Sequence, residues 1–367
     1  MSNQVSVVLV GCGAPLKSMG WYHATQLLCD DYDIPARLDF VVEPWFMSEA
    51  GKSSLGYDHF LRFKEQVEAS NGVKFFASVE EVPPCQNDNT KRLAIISART
   101  ADNPSLFASC LGIGCHYIFL EKPGAPSLSQ LEEMMTSAQK VGVKVFMGFN
   151  KNVSKYVAKT REYEMQNSGS NVTYVHNNNY EASPESLGEC FERNAEGMLK
   201  NMAIHELALL VTYYGVTVEN IASVEADMEF SSCKALTGPS GSVFTDFDKL
   251  KFAITTKEGR VISILADRCG GDDSLGIVTD PEGKELVRFS MPDKEDATAI
   301  ENAKERIPGA MPYFYMQDPD YFTLKQRVAK SILDGTAPEG VATIDVAVET
   351  LRVAEHLTPI LQKQLLK

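Results

Sequence analysis

Several features that mark particular protein classes are missing from this 367-residue sequence. No apolar run is long enough to span a bilayer, and the N-terminus lacks the basic start and apolar core of a signal peptide. The eight cysteines are scattered singly, with none in a Cys-x-x-Cys motif and none near a histidine at metal-ligand spacing. These absences predict a cytoplasmic protein with reduced thiols and no metal site.

Positive charge is also scarce. The chain has 35 Lys and Arg against 49 Asp and Glu, so the formal net charge is −14. Nucleic-acid phosphates and anionic membrane surfaces repel such a protein, so we expect neither as a partner. The hydrophobic content of 44% and the charged content of 23% are ordinary for a globular protein, and the length is sufficient for two domains.

The first part of the chain alternates short apolar runs with amphipathic segments. The predicted strands are Val5–Val10, Leu38–Val42, Lys74–Phe76, Leu93–Ile96, Tyr117–Leu120 and Val143–Met147. The predicted helices between them are Trp21–Cys29, Leu61–Ala69, Pro104–Leu111 and Leu128–Val141. Repeated strand–helix alternation predicts an α/β Rossmann domain, with a doubly wound parallel sheet and right-handed crossovers, over residues 1–148.

After about residue 150 the pattern changes to alternating apolar and polar positions. The stretches with this pattern are Val172–Tyr180, Ile221–Phe230, Leu250–Ala266 and Gly276–Phe289. Predicted helices cover Glu196–Tyr214, Tyr321–Leu333 and Ile344–Leu366. The pattern predicts a second α/β domain over residues 149–367, with an open, mainly antiparallel sheet and the C-terminal helices.

The segment VSVVLVGCGAPLKSMGWYH resembles the start of a dinucleotide-binding unit. Gly11 and Gly13 follow the first strand. The dinucleotide fingerprint has its third glycine three positions after the second, but here the next glycine is Gly20. Glu43 ends the second strand 43 − 20 = 23 residues after Gly20, where the fingerprint places an acid for the ribose hydroxyls. We therefore predict a phosphate loop lengthened by residues 14–19, with Ser18 as helix cap. The alternative is a strand-end glutamate that faces solvent.

The same residues bear on the choice of cofactor. A carboxylate at Glu43 repels a 2′-phosphate, which favours NAD over NADP. Lys17, Ser18 and Arg99 are each able to hold a phosphate, however, so NADP stays an alternative.

Lys122 follows the strand Tyr117–Leu120, in the motif Glu121-Lys122-Pro123. Ligands of doubly wound sheets bind beyond the carboxyl ends of the strands, and the proline keeps Lys122 out of the helical conformation. Lys122 is thus placed to polarise a substrate oxygen. The alternative is an ordinary lysine that faces solvent.

Asn201 and His205 are four residues apart and share one face of a predicted helix. Ala208 and Thr212 continue this face with small side chains that leave room for a ligand. The alternative is a surface or capping histidine.

These motifs together resemble the Gfo/Idh/MocA (glucose–fructose oxidoreductase/inositol dehydrogenase) family of NAD(P)-dependent oxidoreductases. The resemblance covers nearly the whole chain, and its parts are Gly20–His23, Glu121–Pro123, Val143–Asn150, residues 197–215, Tyr321–Gly335 and Asp345–Leu357. The sequence departs from the family pattern at three places. Asn201 replaces the catalytic aspartate, Ala208 replaces a further acid, and Ser97–Thr100 lacks the usual proline turn.

The resemblance implies hydride transfer between a nicotinamide and a sugar, polyol, sugar acid or related small hydroxyl or carbonyl compound. By this resemblance Lys122 stabilises the developing oxyanion and His205 takes the hydroxyl proton, whereas Asn201 is unable to take one. The implied cofactor residues are Gly11, Gly13, Lys17, Ser18, Gly20, Glu43, Ala98, Arg99, Glu121, Lys122 and Asn150. The implied catalytic and substrate residues are Lys122, Asn201 and His205. Candidate pocket residues from the second domain, whose polar groups suit a polyhydroxylated or anionic ligand, are Asn177, Asn179, Tyr180, Arg193, Arg268, Tyr313 and Tyr315. The alternative for each of them is a polar sheet face or a salt bridge. We also expect a homodimer or homotetramer through the second sheet.

Two other functions fit the same residues. One is a non-catalytic NAD(P)-binding regulator, which the loss of the aspartate at Asn201 favours. The other is redox-assisted elimination or glycoside cleavage with transient use of NAD.

Overall fold

The fold is described from a computed structural model for residues 4–85 and 90–366. The chain divides into two compact units. The first comprises residues up to Asn150 together with Thr298–Ala347, and the second comprises Lys151–Ala297 and the residues from Val348 onward. The chain thus leaves the first unit close to the predicted boundary at 148, but it also returns to it, which the prediction of a continuous second domain missed.

The first unit contains the predicted parallel sheet. Its elements in chain order are β1 (Val5–Val10), α1 (Met19–Leu27), β2 (Ala36–Val42), α2 (Tyr57–Asn71), β3 (Lys74–Phe76), β4 (Arg92–Ile96), α3 (Asn103–Gly112), β5 (Tyr117–Leu120), α4 (Leu128–Lys140) and β6 (Lys144–Met147). The strand order is β3-β2-β1-β4-β5-β6, and every pairing is parallel. The order reverses between β1 and β4, which is where such sheets bind their ligands.

The apolar runs explain why this sheet lies at the centre of the unit. Every residue of β1 and every residue of β4 is buried, as expected for strands that are covered by helices on both faces. The β-branched residues Val5, Val7 and Val10 suit the extended conformation of the pleated sheet.

The second unit is built on a larger sheet. Its elements are α5 (Lys155–Gln166), β7 (Asn171–Asn177), α6 (Pro184–Arg193), α7 (Met198–Asn201), α8 (Ile204–Tyr214), β8 (Ile221–Ala226), β9 (Ser232–Thr237), β10 (Val243–Thr256), β11 (Val261–Asp267), β12 (Ser274–Thr279) and β13 (Glu285–Met291). The strand order is β13-β12-β7-β11-β10-β8, with β9 also paired to β10. Only β7 and β11 pair in parallel among these strands, so the predicted mainly antiparallel sheet is confirmed.

Three long segments complete the chain, namely α9 (Asp296–Arg306), α10 (Pro312–Asp334) and α11 (Ile344–Leu365). Of these, α10 packs against α1 in the first unit. The Phe314 ring stacks on Tyr22 with centroids 4.5 Å apart, and the carboxylate of Asp318 accepts hydrogen bonds from Tyr22 at 2.6 Å and Gln26 at 2.7 Å. This buried aromatic and polar contact explains why α10 belongs to the first unit. Among the described residues, no helix has the length and apolar character needed to cross a membrane.

Arg268 was predicted to contact the substrate, but the structure places it in the core of the second unit. Its side chain is fully buried, with Nη2 2.6 Å from Asp246 Oδ2 and Nε donating to the Phe247 carbonyl at 3.1 Å. Nη1 lies 3.0 Å from the Cys190 sulfur, and the guanidinium covers the Phe191 ring. All of these partners belong to the core of the second unit, so Arg268 is a structural residue instead of a ligand contact.

Substitution of Arg268 by alanine is expected to destabilise the protein by roughly 3–5 kcal/mol, because Asp246 is left as a buried charge without its cation. Arg193→Ala, which removes an exposed arginine, is the matched control and is expected to change stability little. Urea denaturation measures both. An Arg268→Ala variant as stable as the control would contradict the core role.

Candidate active site

A cleft of about 950 Å³ lies where β1, β2 and β4 end in the first unit. Its lining includes Gly11, Gly13 and Ser18 from the loop after β1, Glu43 and Trp45 after β2, and Ala98 and Arg99 after β4. All but Trp45 were predicted as cofactor residues. The carboxyl ends of parallel strands bring these distant segments together, so the cleft has the position and size of a dinucleotide site.

The glycines of the lengthened loop are required by close backbone approaches. Gly11 has φ of +84°, and a Cβ there would lie 2.7 Å from the Ala98 Cα. A Cβ on Gly20 would lie 1.9 Å from the Gly11 carbonyl oxygen. Gly20 therefore lets α1 begin directly against the loop, which is what the third glycine of the fingerprint does. The extra residues lie between Gly13 and Gly20, as predicted.

Glu43 forms the acidic end of the cleft. It is 3% exposed, and its carboxylate accepts hydrogen bonds from the backbone N–H of Gly13 at 2.6 Å and Trp45 at 3.1 Å. The carboxylate thus lies against the glycine loop, where ribose hydroxyls are able to donate to it. Next to it, the Trp45 ring is 55% exposed and offers a flat apolar surface for a base. The sequence analysis did not predict Trp45 as a cofactor residue. The one sequence signal for it is its position two residues after Glu43.

The predicted phosphate-binding groups have different positions. Ser18 occupies the N-cap position of α1, but its hydroxyl accepts from the Ala14 N–H at 2.9 Å and not from a helix amide. Arg99 reaches solvent at the cleft and pairs with Asp102 at 2.9 Å. Lys17 instead lines a neighbouring cavity of about 920 Å³ with Lys52 and Arg62. Ser18 and Arg99 are therefore the predicted phosphate ligands that line the cleft itself.

Glu121 belongs to a buried group that we call the Glu121 triad, consisting of His23, Glu121 and Lys325. His23 Nε2 lies 2.9 Å from Glu121 Oε1, and Lys325 Nζ lies 3.0 Å from His23 Nδ1. Burial, aided by the charge of Lys325, lowers the pKa of His23 to about 4. A neutral His23 donates to Glu121 and accepts from Lys325. Glu121 is therefore bound within the protein. The next residue, Lys122, has a cis peptide bond to Pro123.

Asn150 lies where the first unit ends and is fully buried. Its Nδ2 donates to Gln317 Oε1 at 3.3 Å, and its Oδ1 has no hydrogen-bond partner among the described residues. A buried acceptor of this kind suits a cofactor donor.

Tyr313 and Tyr315 were predicted as pocket residues of the second domain, but they belong to the first unit. The Tyr315 hydroxyl donates to the Ile307 carbonyl at 3.0 Å, which makes this tyrosine part of the packing around α10. Burial and the nearby Glu121 raise the pKa of Tyr313 to about 12. Tyr313 is therefore protonated at neutral pH.

In the second unit, His205 is 8% exposed and its ring lies edge-on to His176 with centroids 6.4 Å apart. Asn201 Nδ2 donates to Glu196 Oε1 at 2.8 Å. The predicted helix is interrupted between them, because α7 ends at Asn201 and α8 begins at Ile204. Ala208 is fully buried, so it does not leave the predicted space for a ligand.

A second set of polar residues, most of them buried, lies on the side of His176 next to His205. It comprises Lys151, His176, Glu206 and Ser274, and we call it the Glu206 cluster. Lys151 Nζ lies 2.6 Å from Glu206 Oε1, and His176 Nδ1 lies 3.1 Å from Glu206 Oε2. The sequence analysis missed this cluster because its members come from separate strands and helices. The one available signal was an acid next to the predicted catalytic histidine.

The remaining predicted substrate residues lie at or just after the end of β7, except Arg193, which is the last residue of α6. Arg193 Nη2 donates to the Tyr180 hydroxyl at 2.8 Å, so the fold brings this predicted pair together near the surface. Asn177 donates to Asp273 at 2.9 Å, and Asn179 forms an isolated bridge with Cys269. Among residues 4–85 and 90–366, no three His, Cys, Asp or Glu side chains are grouped to hold a metal ion.

Comparison with known proteins agrees with this geometry. Residues 46–149 match the Gfo/Idh/MocA family model, which describes an oxidoreductase family with an NAD-binding Rossmann fold. The match confirms the predicted family resemblance and the predicted cofactor class, NAD. No curated protein matches the chain.

Solved structures extend the likeness to nearly the whole chain. The myo-inositol dehydrogenase of Lactobacillus casei, in complex with NAD(H) and myo-inositol, is 15% identical with a TM-score of 0.61, and the match covers 99% of this chain and 95% of that one. The apo scyllo-inositol dehydrogenase of the same organism is 14% identical with a TM-score of 0.64, over 99% and 98%. The myo-inositol dehydrogenase of Corynebacterium glutamicum is 19% identical with a TM-score of 0.61, over 98% and 97%. At these identities the likeness establishes the fold.

Gly20→Ala is expected to destabilise the first unit by about 1–3 kcal/mol, because the new methyl group collides with the Gly11 carbonyl. NAD affinity is expected to fall at least about tenfold, the equivalent of ~1.4 kcal/mol. Gly112→Ala is the matched control, because its Cβ meets nothing within 4 Å and its φ is ordinary for a helix. Thermal unfolding and fluorescence titration with NAD measure both effects. Equal behaviour of the two variants would show that the close approach is unimportant.

Lys325→Met is expected to change the pH dependence of stability. Burial lowers the pKa of Lys325 to about 7 from its ordinary 10.5. Between pH 7 and pH 10.5, Lys325 carries a proton in the unfolded chain but not in the folded protein. The free energy of unfolding of the wild type therefore rises as pH rises. The stability of wild type relative to Lys325→Met should therefore rise by roughly 1 kcal/mol per pH unit between about pH 7 and pH 9.

Urea denaturation at pH 7, 8 and 9 tests this expectation. Lys330→Met, which removes an exposed lysine of the same helix, should differ from wild type by a constant amount across this range. A constant difference for Lys325→Met as well would mean that Lys325 titrates like a lysine in water.

Proposed function

We propose that this protein is an NAD-dependent oxidoreductase that acts on the CH–OH group of a polyol, a sugar or a related small hydroxyl compound. The observation that carries the proposal is the cleft at the ends of β1, β2 and β4, with its glycine loop and the Glu43 carboxylate. Its position in a parallel sheet and the match of residues 46–149 to an NAD-binding oxidoreductase family support the same assignment.

The residues of the cleft fit NAD. Gly11 and Gly13 let the loop turn tightly against Ala98 and Ser18 at the edge of the cleft, and Glu43 is placed to accept from the ribose hydroxyls. Trp45 offers a surface for the adenine, and Arg99 is able to hold a phosphate at the open side. When bound, the nicotinamide supplies a hydride acceptor. We prefer NAD to NADP because the Glu43 carboxylate would repel a 2′-phosphate.

We assign the oxygen chemistry to this chain's own side chains. Lys122 follows the β5 strand and stabilises the oxyanion that develops as the substrate hydroxyl loses its proton. In the second unit, the family resemblance assigns the proton acceptor to His205. Relatives named as inositol dehydrogenases support a polyhydroxylated substrate for the same fold. The half-buried Tyr180 and the exposed Arg193 supply polar groups that suit such a substrate.

A second candidate is a regulator that binds NAD without turnover. The specific observation in its favour is Asn201, which stands in the place of an acid and bonds to Glu196. It predicts cofactor binding, no product from any hydroxyl substrate, and a protein partner.

Lys122→Ala is expected to lower kcat for polyol oxidation by roughly 10²–10⁴-fold, because the oxyanion loses its cation. Its affinity for NAD should stay within a few-fold of wild type. Lys140→Ala, at the exposed end of α4, is the control and should retain full activity. NADH absorbance with a panel of polyols, sugars and sugar acids measures turnover, and calorimetry with NAD and NADP measures binding. A fully active Lys122→Ala enzyme would overturn the role of Lys122, and tighter NADP binding would overturn the cofactor preference.

A further inference from the structure

The turn that follows β5 carries Lys122 and belongs entirely to the first unit. At its first residue, the Glu121 carboxylate lies 2.9 Å from His23 Nε2. At its other end, Gly124 has φ of +100°, and a Cβ there would lie 2.8 Å from Leu131 Cδ1. The backbone at Gly124 is therefore closely packed on its apolar side, and glycine is the residue that fits.

Asn103 holds the same end of this turn through a polar contact. Its Nδ2 donates to the Gly124 carbonyl at 2.9 Å, and the side chain is only 2% exposed. Asn103 is the first residue of α3, and the nearby Asp102 and Ser105 line the cofactor cleft. One buried hydrogen bond thus connects the wall of the cleft to the turn that carries Lys122.

An asparagine at this position is poorly explained by stability alone. Its Oδ1 is buried and has no hydrogen-bond partner among the described residues. A buried acceptor without a partner costs at least as much stability as one made hydrogen bond contributes. The start of α3 does not require the side chain either, because Asp102 occupies the N-cap position and the Asn103 amide bonds to Gly124 instead of a helix N–H. The contact with the turn is therefore what this side chain supplies.

We propose that Asn103 is a positioning residue for Lys122. The inference rests on the role that the proposed function gives to Lys122. Only Pro123, whose ring fixes its φ, separates Lys122 from the tethered Gly124. With Glu121 held on the other side, the backbone of Lys122 is fixed from both directions. A cation stabilises a developing oxyanion best when it is held in place before the reaction, which is the effect that we assign to Asn103.

The first test is independent of turnover. Lysines of the folded protein are modified with acetic anhydride, and mass spectrometry follows the half-buried Lys122 and the exposed Lys140. In Asn103→Ala the modification rate of Lys122 is expected to rise about two- to tenfold, the range that corresponds to one hydrogen bond. The rate of Lys140 should stay the same. An unchanged rate at Lys122 in the folded variant overturns the inference.

The second test asks whether Asn103 acts through Lys122. Asn103→Ala should lower kcat for polyol oxidation by roughly ten- to a hundredfold, with NAD affinity within about threefold of wild type. In a Lys122→Ala background the same substitution should cause no further fall, because the group that it positions is absent. Asn302→Ala, which removes an exposed asparagine of α9, should match wild type. An equal fall in both backgrounds overturns the inference.

Asn103→Asp separates positioning from a role in starting α3. Aspartate has nearly the same shape, and a negative charge in the first turn suits the N-terminus of a helix. Its carboxylate is unable to donate, however, and repels the Gly124 carbonyl. Faster modification of Lys122 and a lower kcat, as in Asn103→Ala, are expected. Wild-type values for both would mean that Asn103 serves only the helix, which overturns the inference.

These outcomes are distinguishable from failure of the proposed function. Turnover by the wild type with unaltered kcat and Lys122 modification in both Asn103 variants overturns the inference and leaves the proposed function standing. Lower thermal stability of the variants alone does the same. No turnover by the wild type with any polyol, sugar or sugar acid overturns the proposed function, while the modification rates still decide whether Asn103 holds Lys122 in place.

Discussion

A carboxylate that is removed from water has to be met by cations or hydrogen-bond donors, and the polar sites of both units depend on this constraint. In the first unit, backbone amides of the glycine loop meet Glu43, and His23 meets Glu121. The second contact draws in Lys325 from the far end of the chain, 302 residues from His23. Helix α1, the end of strand β5 and helix α10 are thereby joined by one buried group of side chains. Buried polar contacts therefore connect the elements of this unit, in addition to the apolar packing of the sheet.

The second unit meets the same constraint at two buried carboxylates, Asp246 and Glu206, which have different kinds of partner. Arg268 neutralises Asp246 inside the core, where both groups are buried. Lys151 neutralises Glu206, but the second oxygen of this carboxylate is left for His176, which is partly exposed. The first arrangement is suited to holding strands together. The second leaves an imidazole at the edge of the buried cluster.

Local sequence patterns predicted the first sheet well. Val5–Val10, Lys74–Phe76 and Tyr117–Leu120 are strands with the predicted bounds, because a strand covered on both faces needs a continuous apolar run that is visible without an alignment. The dinucleotide cleft was predicted for a similar reason, since Gly13 and Gly20 are demanded by close approaches within one strand–loop–helix segment. Predictions were weaker in the second unit, where the expected helix Glu196–Tyr214 is interrupted after Asn201.

By itself, then, the sequence determined the parallel sheet, the class of the cofactor cleft and the family that residues 46–149 resemble. Only the tertiary structure decided which polar residues become partners. Arg268 and Arg193 are equally charged and equally attractive as ligand contacts in the sequence, yet one is buried against Asp246 and the other lies near the surface with Tyr180. His176 gained its carboxylate in the same way. Hydrophobic periodicity is a local property of the chain, whereas the pairing of buried charges depends on distances between strands and helices that are set by packing.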